Sequence, residues 1–67
     1  MVNPSKQLDM VEIVNESLQA FEMYLITEIG VKEYWITPGK RITVPRSYIS
    51  DQVRNLENRR IITISGN

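Results

Sequence analysis

The chain reads as a mainly β protein: a small antiparallel sheet or sandwich of about five strands, with one short helix near the C-terminus. Three observations predict it. Short runs alternating apolar with polar residues recur at residues 10–15, 20–27 and 41–44, and such alternation marks a half-buried strand. Between the runs stand Gly30, Pro38-Gly39 and Pro45, residue types that turn a chain or end a ladder. Only one late stretch, holding Ile49, Val53 and Leu56 behind a serine, combines helical spacing with a cap.

Taken in order, residues 1–9 are an N-terminal arm and residues 10–67 a single small β-rich domain. The first eight residues, polar and containing Pro4, read either as a loose terminus or as a strap that lays a strand on a neighbour. In residues 10–15, Val11 and Ile13 alternate with Glu12, and Asn15-Glu16-Ser17 reads as a turn or bulge. In residues 20–27, Phe21, Met23 and Leu25 share one side of a strand, with Glu22 and Tyr24 on the other. The two runs together are expected to form a hairpin. A competing period exists, because Val11, Val14, Leu18, Phe21, Leu25 and Ile29 also fall on one helical stripe. The alternative is therefore an α+β fold with a long N-terminal helix over residues 8–29.

Gly30 supplies a turn, and residues 33–37 form a short aromatic strand. Pro38-Gly39 fits a type II turn, proline at the first corner and glycine at the positive-φ second corner. Ile42 and Val44 then point inward against Arg41 and Thr43, and Pro45 stops the strand. Ser47 or Ser50 caps the helix, Asp51 complements its dipole, and Asn58 is its stop. Residues 61–64, Ile-Ile-Thr-Ile, close the fold as a strand covered on both faces over part of its length. Residues 65–67 are expected to fray.

At 67 residues, folding buries only about 60% of the surface the unfolded chain exposes. Cysteine and histidine are both absent, which removes disulfides, the commonest metal ligand and the commonest general base. No phosphate loop, dinucleotide fingerprint, nucleophile elbow or metal-ligand cluster is present. The expectation is a protein that is not an enzyme, with no cofactor, no metal and no catalytic residues. Assembly with its own copies, as a dimer or trimer, or with a partner is the remaining stabiliser.

Eight basic residues balance eight acidic ones, so no net field favours nucleic acid or an anionic membrane. The charge is segregated, acidic over residues 9–33 and basic over residues 40–60. The candidate partner-binding residues are Trp35, Tyr34, Arg41, Arg46, Tyr48, Arg54 and Arg59. If Tyr34 and Ile36 point inward, strand alternation turns Trp35 outward, and an outward tryptophan on so small a domain suits an interface centre. The arginines suit carboxylates of a partner. No apolar run reaches membrane-span length and no signal peptide is evident, so synthesis in the cytoplasm is expected.

Three pieces of sequence carry a resemblance. They are Val11-x-Ile13-x-Asn15-x-Ser17-x-Gln19, Pro38-Gly39-Lys40-x-Ile42-x-Val44-Pro45-x-Ser47, and Gln52-x-x-Asn55-Leu56 followed by the Ile-rich strand. In this order the chain resembles small virion structural proteins encoded by tailed bacteriophages, over most of residues 10–64. Those proteins tend to open with strands, and on that ground residues 10–27 are expected to be a hairpin rather than a helix. The resemblance implies a virion component, most directly a capsid cement or decoration protein or a head–tail subunit. Its partners would be the major capsid protein or other virion proteins. A small adaptor or regulatory module that binds protein is the alternative.

Overall fold

The computed structural model describes residues 9–66, and the expectations for residues 1–8 and for Asn67 lie outside them. Among these residues five strands and one helix follow one another: β1 (Met10–Asn15), β2 (Phe21–Thr27), β3 (Gly30–Ile36), β4 (Arg41–Pro45), α1 (Asp51–Asn58) and β5 (Ile62–Gly66), with a 3-10 turn, Arg46–Tyr48, before the helix. The fold is mainly β, with the short helix late in the chain. Strands at residues 10–15 and 21–27 rule out the long N-terminal helix.

The strands form two antiparallel sheets, one ordered β4-β1-β5 and one of β2 with β3. This corrects the expected hairpin of residues 10–27, since β1 and β2 lie in different sheets. The hairpin is instead β2–β3, in register from Phe21 opposite Ile36 to Thr27 opposite Gly30. The physical reason sits at Asn15. Its Oδ1 accepts from the Ser17 N–H at 2.8 Å and the Ser17 hydroxyl at 2.7 Å, and its Nδ2 donates to the Gln19 and Ile36 carbonyls at 2.8 and 3.1 Å. Those bonds hold residues 15–19 as a corner that carries the chain out of the first sheet. The tight turn lies at Glu28–Ile29, where Thr27 Oγ1 accepts from the Ile29 N–H and donates to the Gly30 carbonyl. Gly30 has φ +121 there, which a side chain would strain.

Pro38-Gly39 makes the expected turn, closed by the Lys40 N–H on the Thr37 carbonyl at 3.0 Å, with Gly39 at φ +77. It joins the two sheets. Its backbone also meets the corner, because Gly39 N–H donates to the Asn15 carbonyl and Asn15 N–H to the Lys40 carbonyl. Two of the three pieces that carry the resemblance thus meet in space at a buried asparagine.

In the three-stranded sheet, Val11 lies opposite Val44, Ile13 lies between Ile42 and Ile64, and Asn15 lies opposite Ile62, all on one face. The hairpin turns Met23, Leu25 and Ile36 toward it. With Val53 of α1 these side chains make one core. Asn15 is its buried polar member, and no buried side-chain nitrogen or oxygen among the described residues lacks a hydrogen-bond partner.

Ser50, not Ser47, caps α1, accepting from the Val53 N–H. The helix ends in a Schellman motif: Arg60 N–H donates to the Glu57 carbonyl and Ile61 N–H to the Leu56 carbonyl. The left-handed position is filled by Arg60, at φ 63. The frayed end expected at residues 65–66 is corrected as well. Ser65 pairs with Glu12 and Gly66 with Val11, because β1 is long enough to offer them a ladder. In β5, Ile62 is buried and Ile64 half-buried, as is Ile61 just before the strand, whereas Thr63 faces solvent and donates to Glu16.

Candidate interaction surface

Alternation along the β2–β3 hairpin sorts its side chains onto two faces. Phe21, Met23, Leu25, Tyr34 and Ile36 lie on the inner face. On the outer face three cross-strand pairs stand side by side: Glu22 with Trp35, Tyr24 with Glu33, and Ile26 with Val31. All six are exposed, Trp35 at 62% and Val31 at 65%. Four large apolar side chains therefore share one uncovered face with two carboxylates, and neither carboxylate forms an ion pair among the described residues.

The hairpin's two edges differ. Along β2, Gln52 of the helix takes the place of a strand: its Oε1 accepts from the Tyr24 N–H at 3.0 Å and its Nε2 donates to the Glu22 carbonyl at 3.0 Å. Ser50 Oγ donates to the Tyr24 carbonyl at 2.6 Å, and Leu25 bridges to Ile49. Among the described residues no further strand lies beyond β3, and Gly30 to Glu33 are all exposed.

The residues singled out from sequence are spread over several elements. Trp35 points outward and Tyr34 is half-buried on the inner face, as the alternation required. Arg41 pairs with Glu12 at 3.7 Å and Arg46 with Asp9 at 2.7 Å, so the segregated charges partly meet within the molecule. Asp9 is consequently tied to the domain, its carbonyl also accepting from the Arg46 N–H, although it was expected in the arm. Arg54 pairs with Glu57 on the same helix, and Arg59 follows the helix as an exposed C-cap. The Tyr48 hydroxyl donates to Glu28 at 2.8 Å.

These contacts shift the groups that make them. The bond from Arg46 holds the Asp9 carboxyl below its ordinary value, and Asp9 in turn raises Arg46. The hydroxyl of Tyr48 lowers Glu28, and Glu28 raises Tyr48.

Sequence reasoning placed Glu22 and Tyr24 on the side of β2 away from Met23 but missed Ile26, Val31 and Glu33 as their neighbours. The signal was the pairing of residues 21–27 with 30–36, after which alternation alone assembles the face. A second apolar feature, a shallow depression of about 440 Å³, is lined by Leu18, Phe21, Leu56 and Ile61 among others. Leu18 beside it is almost wholly exposed. Phe21 belongs to the inner face, so the depression and the Trp35 face lie on opposite faces of the hairpin.

No protein family, curated protein or solved structure matches this chain. Its function must therefore be argued from these surfaces and from the residues that carry the resemblance. No group of three or more acidic side chains capable of holding a metal occurs among the described residues.

Proposed function

We propose that this protein is a non-enzymatic subunit of a larger protein assembly, and that the assembly is a tailed-phage virion in which it acts as a capsid cement or decoration protein. The subunit part rests on one observation, the outer face of the β2–β3 hairpin with Trp35, Tyr24, Ile26 and Val31 exposed together. Single exposed apolar residues need no explanation, but four on one face mark a surface meant to be covered. The virion part rests on the resemblance of residues 10–64. The apolar depression beside Leu18 supports contact with more than one neighbour, so that several weak attachments sum through multivalency. Association with its own copies, as a dimer or trimer, would add burial that so short a chain lacks.

The deciding experiment is quantitative mass spectrometry of purified, salt-washed particles. The chain is expected in many copies per particle, and Trp35→Ala is expected to remove it from particles while leaving its circular dichroism spectrum unchanged. Recovery in lysate but never in particles would overturn the virion reading. A small adaptor or regulatory module would use the same tryptophan-bearing face, with low copy number and a single protein partner as its signature.

A further inference from the structure

We infer that the free edge of β3 captures an extended segment of a partner protein by strand addition, and that the segment reads apolar-x-basic-x-apolar along the side facing Trp35. This rests on the reading of the hairpin's outer face as a contact surface and specifies what covers it.

The backbone geometry comes first. Both the N–H and the C=O of Tyr24 are engaged outside the hairpin, by Gln52 and Ser50. In an antiparallel ladder, opposed residues alternate between pairs that exchange hydrogen bonds and pairs that do not. Tyr24 opposite Glu33 is therefore a non-bonded pair, and so are Glu22 opposite Trp35 and Ile26 opposite Val31. It follows that the N–H and C=O groups of Val31, Glu33 and Trp35 point away from β2, toward an edge that no strand among the described residues covers. An exposed edge of this kind is a template for another strand. A glutamine side chain closes the opposite edge, whereas nothing among the described residues closes this one.

The side chains then specify the occupant. Residues whose backbone faces the edge also carry their side chains on the outer face, so an added strand meets Val31, Glu33 and Trp35 in turn. Apolar residues opposite Val31 and Trp35 would cover their exposed surface. A lysine or arginine opposite Glu33 would pair with a carboxylate that has no ion-pair partner among the described residues, with Glu22 adding negative field one strand away. A second copy of this chain fits less well, because the two-fold register with Val31 opposite Trp35 sets Glu33 against its own symmetry mate, and directly opposed like charges destabilise a sheet. By contrast, the β4 edge ends at Pro45, which has no N–H to offer, and turns Arg41 and Thr43 outward.

The test uses the full chain labelled with nitrogen-15 and an acetylated heptapeptide that alternates threonine with valine, lysine and valine. Its amides should shift at Val31, Glu33 and Trp35 and exchange more slowly there, with a Kd of about 1 mM or tighter. A peptide with glutamate in place of lysine should bind about three- to tenfold more weakly, and Glu33→Lys should reverse that preference. Methylation of the peptide's edge-facing backbone nitrogens keeps every side chain and should abolish binding. Unchanged binding of the methylated peptide overturns strand addition yet leaves the docking face standing. Absence of binding by the lysine peptide at millimolar concentration overturns the inference, and so does self-association that places β3 against β3. The particle experiment is independent, so a chain absent from virions that still captures the peptide separates the two outcomes.

Discussion

Asn15→Ala removes both amide donors and the acceptor of the Ser17 bonds at a site 1% exposed. The Gln19 carbonyl then keeps only the Ser17 hydroxyl and the Ile36 carbonyl only its ladder bond to Phe21, inside the corner that separates the sheets. Each of the four lost hydrogen bonds is worth about 0.5–1.5 kcal/mol, so a loss of about 2–4 kcal/mol is expected in urea unfolding. Asn15→Asp keeps the acceptor but aims a buried carboxylate at two carbonyls, which raises its pKa in the folded state. Its penalty should therefore shrink as pH falls below that raised value, because a protonated carboxyl can donate again, and a stability profile of this variant against pH measures it. Glu28 has the opposite sign. Its folded pKa lies below the unfolded one, so the stabilisation it brings is present above the unfolded value and disappears as pH falls through the folded value. Tyr48→Phe should move the Glu28 titration, followed by NMR, up toward the ordinary carboxylate range, with the lowering by the Glu28 backbone hydrogen bond left in place. An unmoved titration would mean that the hydroxyl is not the cause.

At the scale of elements, the hairpin and the helix hold each other through side chains that replace backbone. Gln52→Glu retains an acceptor for the Tyr24 N–H but leaves the Glu22 carbonyl without its donor, at a cost of about 0.5–1.5 kcal/mol. Hydrogen exchange at the Tyr24 amide should quicken in Gln52→Ala, while the amides of β1 keep their protection. The helix end offers the reverse sign. Arg60 occupies a left-handed conformation that costs an ordinary residue about 1–2 kcal/mol, so Arg60→Gly should raise the stability by about 0.5–1 kcal/mol even after the entropy of glycine is charged against it. Thermal unfolding of the two proteins decides this.

The Pro38-Gly39 turn and the Pro45 stop were legible because each is written in residues that sit at the feature itself, and the same reading narrowed the helix cap to Ser47 or Ser50. Strand pairing was not, since alternation in residues 10–15 and 20–27 is compatible with any partner, and the choice depends on bonds from Asn15 to residues far along the chain. Arg60 was equally silent, arginine being an uncommon choice for that conformation. The outward turn of Trp35 followed from its neighbour Ile36, whereas the pairing of Arg41 and Arg46 with Glu12 and Asp9 needed the fold.

For the whole molecule, the closing of one hairpin edge by Gln52 sets a valence. A sheet with both edges free can take a strand on each side and pass the ladder on from subunit to subunit, which is how fibres grow. This hairpin can accept one strand and has no second edge from which to continue. Contacts made through it end at a stoichiometry of one, so on the decoration reading a lattice dressed with such subunits would gain only one layer through this edge.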